Sequence, residues 1–179
     1  MKKGGKPFSM LLNYYLVHLI LKSKILRLSF KFYGDDNMKR SRYATPIFII
    51  GTYDEEGNPN AMNAILGEMS CSDPQHISIS LKETTSTHKN ILDKEAFTVN
   101  IPSQTYINEI DDLKIECGKH EDKFTASGLT PVKSELVDAP YIKEFPLALE
   151  CKLVNATEMG LCTSFTGEVL DAKWIESSC

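Results

Sequence analysis

Residues 76–101 read HISISLKETTSTHKNILDKEAFTVNI, and their changes of period decide the class of fold. Ile77, Ile79 and Leu81 alternate with His76, Ser78, Ser80 and Lys82, the period of two expected of a half-buried strand. From Thr87 the pattern changes, with His88, Lys89 and Asn90 ahead of Ile91 and Leu92. AFTVNI then returns to strand character, so a short helix joins two strands.

Upstream, Pro46 sets a boundary and IFIIGTY is β-branched and aromatic enough for a buried strand. DEEGNPN supplies turn chemistry, with Gly57 free to take positive φ and Pro59 stiffening the exit. AMNAILGEMSC is a second extended stretch, ended by a turn at SDPQ. Residues 103–127 read as helical and irregular, with Ser103 as N-cap and Tyr106, Ile107, Ile110 and Leu113 on one face. LALECKLVNAT and SFTGEVLDAKWI are the last strands. About six strands with short helices between them predict a mainly β protein, a closed barrel with helical decoration, since there is no room for a full run of βαβ crossovers.

The chain has 179 residues, enough for one domain. Residues 1–37 hold Lys2, Lys3, Lys6, Lys22, Lys24, Arg27 and Lys31 against Asp35 and Asp36. Residues 38–179 keep 13 basic against 22 acidic side chains. An acidic body argues against general nucleic-acid binding.

In the basic segment, MLLNYYLVHLIL (residues 10–21) is a 12-residue apolar run. It falls short of the roughly 20 residues that cross a bilayer, so no membrane span is expected. MKKGGK imitates the start of a secretory signal, yet no small-x-small cleavage site follows. Leu, Ile and Phe interleaved with Lys and Arg through Phe32 also suit a helix lying on a membrane surface. The plainer alternative takes Met38 as the natural start and residues 1–37 as an upstream extension. The cysteines, Cys71, Cys117, Cys151, Cys162 and Cys179, are odd in number and show no zinc spacing. Reduced packing thiols in a cytoplasmic protein fit them best.

The fragments PIFIIGTYDEEGNPNAMNA, CSDPQHISISL, THKNI, FTVNIPS, CGKHEDKFTASGLTPV, DAPYIKEFPLALEC and FTGEV follow one another in order between Tyr43 and Ile175. Together they resemble the flavin reductase family with the FMN-binding split barrel, of Greek-key type, and within it the flavoredoxin-like branch. The resemblance implies a flavin reductase-like domain over residues 38–179. It also implies a homodimer holding FMN in a crevice near the subunit interface. Such a protein is an oxidoreductase that passes electrons through FMN from NAD(P)H or another donor to a small-molecule or protein redox partner.

By the same resemblance, Ser80, Leu81, Lys82, Thr87 and His88 surround the FMN phosphate, where hydroxyls, an ammonium and a helix start can converge on an anion. Asn60, Asn63 and Ala64 run beside the flavin, and Ser70 and Cys71 face it through backbone atoms. Lys123, in the Asp122-Lys123-Phe124 motif, reaches the ring, where a cation favours the anionic reduced flavin. The pattern carries no metal and leaves the catalytic residues unassigned.

Three positions depart from the branch. Leu66 stands where a Trp is usual, Cys162 replaces a His before the FTGEV strand, and Cys117-Gly118 replaces a Ser-Gly loop. The chain also ends at Cys179, where the family commonly continues. These departures keep a second function open, a non-catalytic or impaired FMN-binding module.

Overall fold

The computed structural model of the chain describes residues 30–31, 45–46, 48–64, 67–72, 74–106 and 123–175. The long apolar run of residues 10–21, Leu66, the Cys117-Gly118 pair, Asp122, Cys179 and most of the helix expected over 103–127 lie outside them. Of that stretch the described parts are one 3-10 turn, Gln104–Tyr106, entered through Tyr106 N–H bonded to Ser103 O, and the short helix Lys123–Ser127.

Two short strands, β1 (Phe30–Lys31) and β2 (Thr45–Pro46), pair with each other. The body is one antiparallel sheet of β3 (Phe48–Tyr53), β4 (Pro59–Ala64), β5 (Gly67–Ser72), β6 (Gln75–Lys82), β7 (Ala96–Ile101), β10 (Leu147–Met159) and β11 (Cys162–Trp174). Its order is β4-β3-β7-β10-β11-β6-β5. The edge strands β4 and β5 are neighbours in sequence, separated only by residues 65 and 66. Three Cα steps span at most about 11 Å, so the sheet must curl until its edges approach, and β4 touches β6 next to the opposite edge. The result is a mainly β half-barrel of the split-barrel kind.

This corrects the single extended stretch expected over AMNAILGEMSC. It is two strands at opposite edges, β4 paired with β3 and β5 paired with β6. Both halves are extended, and only their partners distinguish them.

The alternation in β6 holds as expected: Ile77, Ile79 and Leu81 are buried, Ser78 and Ser80 half-buried, and Lys82 exposed. Ile77, Ile79 and Leu81 join Ile50, Phe97, Val99, Leu149 and Phe165 in the barrel core. Gly167 lies across from Ile77 on β11, and an added Cβ there would come within 2.5 Å of the Phe97 ring. The FTGEV glycine is therefore the gap into which Phe97 packs. The DEEGNPN turn also forms as read, with Gly57 at φ +85°. Asp54 caps it, its carboxylate accepting from the backbone N–H groups of Glu56 and Asn58.

Two three-residue strands, β8 (Pro131–Lys133) and β9 (Pro140–Ile142), pair with each other, and the sequence reading did not anticipate them. They explain why β7 is buried on both faces despite carrying Thr98 and Asn100. Thr98 Oγ1 donates to Pro140 O, Asn100 Oδ1 accepts from Ile142 N–H at 2.9 Å, and Asn100 Nδ2 donates to Ile49 O at 3.0 Å. Buried polar groups are retained when they are paired. Here they substitute for a ladder that β9 does not make with the main sheet. Under β9 lies a second apolar cluster, Ile49, Ala61, Phe124, Leu129, Ile142 and Phe145. Phe124 belongs to α2 (Lys123–Ser127) and anchors it beside β4.

Candidate functional site

The end of β6 is locked to the start of α1 (Ser86–Lys94) by a short turn. Thr85 donates both its N–H (3.1 Å) and its hydroxyl (2.8 Å) to Lys82 O. Its Oγ1 then caps the helix by accepting from His88 N–H. Threonine suits this place because its side-chain oxygen satisfies a helix N–H that has no partner within the helix. Lys82, Thr87 and His88 are thereby held around one corner of the barrel.

Thr87 is 1% exposed, and its Oγ1 accepts from Asn60 Nδ2 at 2.8 Å. One turn on, Asn90 Nδ2 donates to Thr52 Oγ1 at 3.1 Å. These two bonds seat α1 on the β3–β4 hairpin. At the surface Lys89 meets Glu55 at 2.6 Å, and its ammonium holds the Glu55 carboxyl below the usual carboxylate range. That exposed pair adds little to stability.

His88 turns the other way. Its Nε2 lies 2.8 Å from Thr163 Oγ1, and its ring meets Phe165 edge-on at 5.1 Å between centroids. Thr163 is the register partner of Leu81, on the core side of β6. Ser80 and Lys82 belong to the opposite face, where their partners across β11 are Ser164 and Cys162. The five residues expected around the phosphate are thus neighbours in space but divided between two faces. The Leu81 side chain is core, as is that of Ala64, so neither side chain is free for a ligand.

Asn60 and Asn63 are likewise divided, because residues three apart on a strand face opposite ways. Asn60 points to α1. Asn63 shares its face with Ala61, and its register partner is Ile49 of the second cluster. Lys123 Nζ donates to the backbone carbonyl of Ala61 at 3.4 Å. Asn63 Oδ1 is buried and takes no hydrogen bond from any described residue. Ser70 and Cys71 lie on edge strand β5, whose backbone alone is described.

Cys162 occupies the place at the head of β11 where the resemblance leads one to expect a histidine, half-buried and across from Lys82. Cys151 is fully buried, and burial pushes its thiol well above the ordinary range, which leaves it a packing residue. Among the described residues no group of His, Cys, Asp and Glu could hold a metal ion, and no helix is long and apolar enough to cross a membrane.

The domain family described as "Flavin reductase like domain" matches residues 39–178. The chain belongs to this family. The flavoredoxin of Desulfovibrio vulgaris (Miyazaki F) is 42% identical with a TM-score of 0.72, over 80% of this chain and 77% of that one. The flavoredoxin of Methanosarcina acetivorans is 24% identical with a TM-score of 0.69, over 83% and 77% of the two chains, a likeness of fold. An uncharacterized protein of Archaeoglobus fulgidus is 31% identical over 112 residues, and the match spans 63% of each chain. The chain therefore covers less than two thirds of that curated relative.

The residues of this flavin reductase like domain fit an FMN. A phosphate needs cations and N–H donors, which Lys82 and the first turn of α1 can offer. The ring's polar edge needs an acceptor as well as donors, and these kinds are present in the unpaired Asn63 Oδ1 and in the Lys123 ammonium, which contacts Ala61 O two positions along β4. Thr163, Thr52 and Asn100 were not singled out from the sequence. Only strand register brings Thr163 to His88, and no local pattern marks it.

Proposed function

We propose that the protein binds FMN at the corner formed by β4, the end of β6 and the start of α1, and passes electrons through it as a flavin reductase- or flavoredoxin-like oxidoreductase. The observation that carries this reading is the hydrogen bond between Asn60 and Thr87. It joins two residues 27 positions apart, each expected at the flavin from the resemblance alone. The 42% identity to a flavoredoxin supports the same reading.

In this reading Lys82 and the α1 N-terminus hold the phosphate, while Asn60 orients Thr87 so that the helix start keeps its position. Lys123 favours negative charge at the ring edge. Bound FMN would supply the hydride and electron chemistry, which no amino-acid side chain performs. NAD(P)H is the proposed electron donor, with a small-molecule or protein redox partner as acceptor. The working form is a homodimer in the cytoplasm.

A second reading, an FMN-binding module without turnover, is favoured by Cys162, since a thiol there lacks the two ring nitrogens of the histidine expected at that place. Anaerobic stopped-flow mixing of the FMN-loaded protein with NADH and with NADPH separates the two. Loss of the flavin band near about 450 nm at turnover rates is the expected result. A band that persists with both donors removes the reductase reading and leaves the passive module.

A further inference from the structure

Lys123 Nζ, a cation with hydrogen-bonding capacity to spare, reaches the backbone carbonyl of Ala61, and two positions along β4 from Ala61 stands Asn63, an acceptor with no donor. Lys123 Nζ has three N–H donors, and its contact with Ala61 O is long at 3.4 Å. Asn63 Oδ1 is buried without a partner among the described residues. Ile49 opposite Asn63 and Ala61 beside it are both fully buried and apolar, so neither of these side chains donates to it. A buried amide oxygen in such a place is destabilising unless something donates to it.

The complement to this pair is a ligand edge that carries a carbonyl oxygen next to an N–H, which is an imide. The isoalloxazine ring has one such edge, with N3–H flanked by two carbonyls. We propose that Asn63 Oδ1 accepts from the flavin N3–H while Lys123 donates to an adjoining carbonyl. The chain would then select its flavin by the imide proton as well as by the phosphate. This inference rests on the FMN reading and makes Asn63 a specificity-determining residue within it.

The test is equilibrium titration of the full chain, followed by flavin fluorescence, with FMN and with N3-methyl-FMN, in which a methyl group replaces the proton. Wild type is expected to bind the methylated flavin about tenfold more weakly than FMN. In Asn63→Ala, checked for folding by circular dichroism, FMN affinity is expected to fall by a similar factor. The gap between the two flavins should then close to about twofold or less. Equal affinity of wild type for both flavins overturns the inference and leaves the FMN reading intact, as does a gap that survives in Asn63→Ala. If wild type binds neither flavin, the FMN reading falls and this inference falls with it. If Asn63→Ala does not fold, Asn63→Leu, which removes the acceptor but keeps the side-chain volume, carries the same comparison.

Discussion

Gly51→Ala is expected to be the most damaging small substitution in the described structure, costing about 3 kcal/mol or more. Gly51 sits in the middle of β3, paired with Ala61 on one side and Thr98 on the other. A Cβ there would collide with the backbone carbonyl of Pro140 and come within 2.5 Å of Thr98 Oγ1. Neither atom is the far end of a flexible side chain. Relief requires β9 to lift, which breaks the Thr98–Pro140 and Asn100–Ile142 hydrogen bonds and opens the second cluster. A fall in melting temperature of about 10 °C follows for a chain of this size, read by circular dichroism. Gly57→Ala is the control. It meets open space but sits at φ +85°, so its cost is conformational, about 1 kcal/mol. A Gly51→Ala protein that melts with wild type would show that β9 does not pack where it is described.

Thr87→Val has the largest effect expected on the proposed function. Valine keeps the volume of this buried side chain but removes the acceptor for Asn60 Nδ2. An amide left without its partner costs about 1–3 kcal/mol. Because this bond seats the start of α1 on β4, FMN affinity is expected to fall about tenfold or more. Fluorescence titration of the variant reads the affinity, and its melting curve reads the stability. Unchanged affinity would separate the Asn60–Thr87 bond from the flavin site.

How much was legible in the sequence depended on how local each feature is. The β6 alternation, the Asp54-to-Asn60 turn and the helix between β6 and β7 are written in neighbouring residues, and each forms where it was read. Strands β8 and β9 are not legible in that way. Each is three residues long, and β9 is held by side chains of β7, so its signal lies some 40 positions away in Thr98 and Asn100. The division of residues 61–71 between two sheet edges is hidden for the same reason, since partner choice is a tertiary fact.

The site divides along similar lines. Asn60, Thr87 and Lys123 were singled out in advance, and the structure gives each a defined partner. Of the residues expected with Thr87 around the phosphate, Ser80, Leu81, Lys82 and His88 divide between the two faces of the sheet. The period of two already implies that Leu81 faces the core and Ser80 and Lys82 the other side. His88 follows Leu81 inward because Thr163 awaits it there.

The measurement that bears most directly on the central claim is flavin retention by the full chain, by equilibrium dialysis against FMN. A yellow protein holding about one FMN per chain is expected, with riboflavin bound more weakly for want of its phosphate. A folded protein that retains no FMN above the dialysis background would contradict that claim.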